Sequence, residues 1–240
     1  MKMGLISPLA SKCVQVPADH TGGKRAHKIT RITPHCFVGQ WRGEVMADYF
    51  ASTPRQISVN YTIGCDGTIV CVCPEDVHTF CSSSWSNDER AITIEIACDT
   101  FYPYCMESKA INALVKLMVD ICLRHGLTEV STPGGISGIR DTAPVAEWTA
   151  HRWFDSTECP GDYLYNKRDK IAADVNYQLE RSRDEMKIYR TIDDVPSWAK
   201  PTIEKLVEKQ ALQGTEPGVL NISEDLVRLF VVHDRLGLYG

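Results

Sequence analysis

No run approaching the ~20 apolar residues of a membrane-crossing helix occurs in this sequence. The opening MKMGLISPLASK has one early lysine but no apolar stretch of the length a secretion signal needs. As written, the chain is expected to stay in the cytoplasm unless something else releases it. Excess positive charge is also missing. Lys and Arg total 26 against 31 Asp and Glu, a formal net charge of -5. That argues against a dedicated nucleic-acid binder, because neutralising phosphates takes clustered cations. Cys71-Val72-Cys73 has no matching second pair at zinc-finger spacing. What is present suits a soluble globular protein with a substantial core: 240 residues, 43% hydrophobic and 24% charged, enough for one ordinary domain and a smaller one. Ten cysteines are many for this length. Without a secretion signal a disulfide framework is the poorer explanation. Cys65, Cys71, Cys73 and Cys98 lie in or beside apolar strand-like runs and read as small core hydrophobes.

The chain alternates strand-like and helical patterns. Gln56 to Ile63 ends at the turn Cys65-Asp66-Gly67, and Thr68 to Cys73 follows at once, which predicts a hairpin. Ala91 to Ala97 (AITIEIA) is rich in β-branched residues and predicts a strand. Between Glu107 and His125, apolar residues recur at Ile111, Leu114, Val115, Met118, Ile121 and Cys122, a helical spacing stopped by Gly126. Ser131 to Ala146 is rich in glycine and proline in its first half and reads as an irregular loop. A further helix is expected from Asp162, as its cap, to about Glu180. The expected fold is α/β, a mixed central sheet flanked by helices. The polar stretch Arg181 to Lys187 marks a boundary between a domain over 1–182 and a small helical module over 188–240. In that module Trp198, Ile203, Leu206 and Val207, then Leu226, Leu229, Phe230 and His233, have helical spacing, with Ser223, Glu224 and Asp225 starting the second helix.

Metal-binding residue types gather in two places: His35-Cys36 in an early strand-like segment, and the stretch from His151 through Cys159 to Asp162. Two imidazoles and a thiolate suit Zn²⁺ and leave the fourth tetrahedral position open. Water bound there can reach a pKa near ~7, as hydrolysis requires. Each piece alone is weak, and His20, His27, His78, His125 and His233 are read as ordinary surface or core histidines. A cysteine nucleophile at Cys36 with His35 as its base is disfavoured, because adjacent strand residues point to opposite faces. Glu95, alternating with isoleucines in AITIEIA, is costly to bury without a role or partner.

Taken in order, ITPHCFVGQW, SVNYTIGCDGTIV, SSSWSNDERAITIEIACDT and HRWFDSTECPGDYLY make the chain resemble the amidase-2 (type 2 N-acetylmuramoyl-L-alanine amidase, peptidoglycan recognition protein-like) family, in its phage or prophage endolysin branch. The resemblance runs from about Ile6 to Glu180. It implies a zinc amidase that hydrolyses the bond between N-acetylmuramic acid and L-alanine of peptidoglycan after release to the wall. The implied metal ligands are His35, His151 and Cys159, holding one zinc per chain. Glu95 is the implied general base. Thr157, where relatives have lysine or threonine, supports the oxyanion as a neutral donor. Trp41, Asn60, Trp85 and Trp153 are expected along the substrate groove, although core packing is at least as good a reading of any one tryptophan.

The sequence also departs from its relatives. Val59 stands where some have a catalytic tyrosine, and Asn60 and Cys81 occupy common histidine positions. A non-catalytic peptidoglycan-binding protein therefore remains as an alternative, as does a cytosolic amidase that recycles muropeptides. The tail, from Tyr189 to Gly240, resembles a single surface-layer-homology-type repeat. Trp198, Leu206 and Gly214 fit, but the usual TRAE-like signature reads Ser-Glu-Asp-Leu. Wall targeting and self-association into a homo-oligomer are both open for it.

Overall fold

A computed structural model describes residues 5–214, 216 and 218–240. The chain divides into two compact units, one up to Tyr177 and one over Gln178–Gly240. The first unit begins with β1 (Thr21–Lys24), β2 (Arg31–Val38), α1 (Gly43–Ser52), β3 (Tyr61–Ile63), β4 (Ile69–Cys71) and β5 (Val77–Thr79). It continues with α2 (Trp85–Asp88), β6 (Ala91–Cys98), α3 (Ser108–His125), β7 (Glu129–Ser131), β8 (Val145–Trp148) and the start of α4 (Gly161–Met186). Six strands form one mixed sheet in the order β4-β3-β6-β2-β8-β7. Every neighbouring pair is parallel except the β3–β4 hairpin. With helices flanking it, this is the mixed α/β sheet that the sequence pattern implied.

β2 and β6 form the middle of the sheet, and their side chains explain why. Ile32, Ile92, Ile94 and Ile96 are wholly enclosed. Alternation sends Thr33 and His35 to one face of β2, and parallel register sets them beside Thr93 and Glu95 of β6. α3 covers the core with Leu114, Leu117, Met118 and Ile121. It ends where Gly126 takes a left-handed conformation (φ 66°) that a side chain would disfavour, and the Leu127 amide closes on the Cys122 carbonyl at 2.8 Å. Glu75 adds a polar anchor: its buried carboxylate accepts both Arg124 guanidinium nitrogens at 2.6 Å, Nε2 of His125 at 2.7 Å and the Tyr61 hydroxyl at 2.6 Å. Burial opposes its charge, but these donors outweigh that and hold the carboxyl below its usual range.

Several expectations need correction. The first hairpin strand is only Tyr61–Ile63; the Asn60 and Val59 carbonyls still accept the Val72 and Cys73 amides, but the Ser58 amide turns away to the Phe80 carbonyl. The stretch read as a loop to Ala146 contains β7's last residue and the start of β8. α4 continues past Glu180 to Met186, and Asp162 lies inside its first turn rather than at its cap.

The second unit has its own core of Tyr189, Val195, Ala199, Ile203, Leu220, Ile222, Val227 and Val231. It holds β9 (Ile188–Tyr189) paired antiparallel with β10 (Ile222–Ser223), then α5 (Lys200–Glu208) and α6 (Glu224–Arg235). Ser223 caps α6, its hydroxyl accepting from the Leu226 amide at 3.3 Å. The buried stripe of α6 is Val227 and Val231; Leu229, expected on it, is 48% exposed.

Candidate metal centre

The sheet brings three distant chain segments to one place. His35 sits in the middle of β2 with no exposed surface. His151 follows β8, in a short helical turn over His151–Trp153. Cys159 closes the loop that leads into α4. That loop is tied down at several points. The Arg152 amide bonds the Cys159 carbonyl at 3.0 Å, and the Arg152 guanidinium reaches Asp162 at 2.8 Å. The Tyr104 hydroxyl donates to Glu158 at 2.7 Å.

The donor atoms of His35, His151 and Cys159 all lie within 4.8 Å of one another. Nδ1 of His35 and Sγ of Cys159 are 3.3 Å apart. Around a tetrahedral ion with Zn–N and Zn–S bonds of ordinary length, such donors stand ~3.4–3.6 Å apart. The spacing therefore fits an ion without rearrangement of β2. Burial, reinforced by the neighbouring His151, holds the His35 imidazole well below its ordinary pKa, so the ring is neutral with a lone pair to offer. The residues fit the metal that the donor set suggests, since two imidazoles and one thiolate suit Zn²⁺ among biological divalent ions.

Glu95 stands next to these donors, and with His35 and Cys81 it forms a second group whose atoms lie within 4.8 Å. The Cys81 thiol is 3.9 Å from one carboxylate oxygen, and the other, Oε2, is enclosed with no hydrogen-bond partner. Burial pushes the carboxyl up to about 7, against the opposing pull of His151 and the Cys81 thiol. Thr157 accepts the Cys159 amide on its hydroxyl oxygen at 3.2 Å, which leaves its own proton free to donate.

A buried polar ring lies beneath. Nδ2 of Asn87 donates to Thr33 and the Thr149 hydroxyl donates to Oδ1 of Asn87, both at 3.0 Å, while Thr33 and Thr149 are 2.7 Å apart. Thr33 and Thr149 each precede a histidine of the centre by two residues, so the ring braces both histidine-bearing segments.

The residues expected along the groove separate. Trp41 and Trp85 are 48% and 63% exposed. Trp153 is partly buried and donates from Nε1 to the Tyr165 hydroxyl at 3.2 Å. Asn60 has no exposed surface. Its side chain bonds Arg25, the Cys73 and Pro74 carbonyls and the Thr93 amide, so it is a buried clamp and no substrate contact. Val59 packs in the apolar cluster of Ala47, Phe50 and Val70. Sequence reasoning missed Ser83 and Asp155, which lie beside His151. Their only sequence signal is membership of the two long motifs.

The family model described as N-acetylmuramoyl-L-alanine amidase matches residues 20–162. No curated protein matches the chain. A selenomethionine derivative of AmpD superimposes with a TM-score of 0.50 at 16% identity, covering 71% of this chain and 99% of the other, a likeness of fold alone. The amidase LysC from Clostridium intestinale URNW gives 0.47 at 19% identity over 70% and 99% of the two chains. A mutant endolysin from Bacillus subtilis gives 0.48 at 18% identity over 68% and 97%.

Elemental analysis of purified protein should find about one zinc per chain, as three protein donors with an open position imply. His35→Ala and Cys159→Ser should each lower occupancy sharply while leaving the fold intact by circular dichroism. Full occupancy in both variants would remove these residues from the metal site.

Proposed function

The chain belongs to the N-acetylmuramoyl-L-alanine amidase family, and on that premise we propose that it is a zinc-dependent endolysin hydrolysing the lactyl amide between N-acetylmuramic acid and L-alanine of peptidoglycan. One observation carries the reading: His35, His151 and Cys159 converge within 4.8 Å, and Glu95 stands beside them. Zinc held by those three residues would supply Lewis-acid stabilisation of the carbonyl oxygen and acidify a water molecule. Glu95 takes the proton of the attacking water and returns it to the leaving amine of L-alanine. A group that both accepts and donates works best with a pKa near the working pH, and burial already moves Glu95 that way. Thr157 donates its hydroxyl proton to the developing oxyanion. As a neutral donor it is a secondary contributor. Trp41 and Trp85 offer exposed rings to sugar or peptide, whereas Trp153 is partly buried against Tyr165.

The module over 188–240 is assigned to wall targeting or self-association, following its resemblance to a surface-layer-homology-type repeat. All the proposed site residues precede it, and it buries a core of its own. Leu229 and Val232 on α6 and Leu236 just after its end remain 48%, 51% and 70% exposed. That apolar stripe supports a docking role.

Mass spectrometry of digested peptidoglycan tests the chemistry. New amino termini at L-alanine with intact glycan strands are expected; new reducing ends, or no cleavage, contradict the assignment. Glu95→Gln should retain zinc yet slow hydrolysis by ~10²-fold or more, since it keeps shape and removes the base. Near-normal turnover of that variant would assign the base elsewhere. Thr157→Ala should be the milder change. A chain ending at Lys187 should cleave soluble muropeptides at a similar rate and lose activity on intact walls. Loss of soluble-substrate cleavage in a folded truncated chain would put the module in the catalytic machinery.

A further inference from the structure

Ser83 occupies an unusual position. It is an exposed, non-glycine residue in left-handed backbone (φ 58°), a conformation that costs free energy unless its surroundings impose it. They do. Asp88, almost wholly buried, accepts the amides of Cys81 and Ser82 at 2.8 and 2.9 Å and also the Ser82 hydroxyl. Asn87 donates to the same Ser82 hydroxyl at 3.0 Å while belonging to the Thr33–Thr149 ring. The turn at 81–84 is thus fastened to the framework that braces the two histidine-bearing segments.

What the fastening achieves is visible at the Ser83 hydroxyl. Its oxygen is 3.5 Å from Nε2 of His151, and it donates to Oδ2 of Asp155 at 2.9 Å. The same Asp155 oxygen is 4.0 Å from Nε2 of His151, one helical turn along the chain. The other carboxylate oxygen accepts the Ser156 amide at 2.7 Å, which fixes its orientation. The donor directions are consistent: Nε2–H of His151 towards Ser83, then the Ser83 hydroxyl proton to Asp155. This is no nucleophilic triad, because the serine proton goes to the carboxylate and not to the imidazole.

We propose that Ser83 and Asp155 are positioning residues for His151, holding its ring as the Nε2–H tautomer so that Nδ1 presents its lone pair to the metal. The assignment rests on the zinc reading given above. An imidazole ligand needs one nitrogen free, and a hydrogen-bond acceptor on the other nitrogen sets which one it is and raises its basicity. His35 needs no such device, because the strand ladder on both sides of β2 and complete burial already fix its ring. His151 lies on a short turn and is partly exposed, so its orientation depends on contacts of this kind.

The test is zinc affinity of the full chain, read by competition with a chromogenic chelator. Asp155→Asn keeps size and an acceptor and removes the charge, so a merely structural role would not register. Ser83→Gly removes the hydroxyl and eases the left-handed backbone. Loss of an outer-shell partner of a histidine ligand weakens metal binding by about 10- to 100-fold, and Asp155→Asn should fall in that range. Ser83→Gly should weaken binding in the same direction. The double variant should be no weaker than Asp155→Asn, since both break one chain of contacts. Cobalt-loaded Asp155→Asn should also show a shifted visible absorption band. Affinities within twofold of wild type in both single variants, with unchanged melting, overturn the proposal, as does a raised KM with zinc affinity intact. A wild type that binds no zinc overturns the metal reading and this one with it; a zinc-binding wild type beside indifferent variants overturns only this one.

Discussion

His35 has no exposed surface and a neutral ring whose Nδ1 lies 3.3 Å from the Cys159 sulfur. Placing such a group in the middle of a parallel sheet is unfavourable unless something compensates it, since a buried polar atom left unpaired costs about 1–3 kcal/mol. Much of the surrounding structure can be understood from that constraint. The sheet delivers His151 and Cys159 to the same side. β6 sets Glu95 in register with His35. A closed ring of Thr33, Thr149 and Asn87 satisfies the polar groups beneath, so the histidine-bearing segments are held by hydrogen bonds that are all made. The donor atoms of His35, His151 and Cys159 converge within 4.8 Å of one another.

On the proposed reading, the same arrangement separates metal binding from proton transfer. Donors that hold an ion must be deprotonated or neutral, and burial of His35 supplies that condition. A base must instead sit near neutrality, and burial moves a carboxyl such as Glu95 upward to about 7. One low-dielectric environment thus serves two groups by shifting their pKa values in opposite directions, downward for the imidazole and upward for the acid.

Elements with strong periodicity were legible in the sequence. α3 shows its apolar spacing and its glycine stop, β6 its β-branched run, and the β3–β4 hairpin its Asp-Gly turn. β7 and β8 were not, because strands of three and four residues in a stretch rich in glycine and proline are too short for a period to appear. Residue type and resemblance pointed to His35, His151 and Cys159, and the fold brings their donors together. Asn60 shows the limit of reading by alignment. A polar residue at a histidine position looked available to substrate, yet long-range contacts with Arg25 and Thr93 absorb its amide. The Ser83–Asp155 pair was invisible because it spans 72 residues of sequence. Polar contacts between turns have no period to reveal them.

The central claim is that one ion is held by two imidazoles and one thiolate with a position left for water. X-ray absorption at the zinc edge of the full-length protein tests it directly. The account predicts a single sulfur at ~2.3 Å and nitrogen or oxygen scatterers at ~2.0–2.1 Å, with imidazole multiple scattering. Two or more sulfurs, as the other cysteines of this chain would give in a closed structural site, or no sulfur at all, would contradict it.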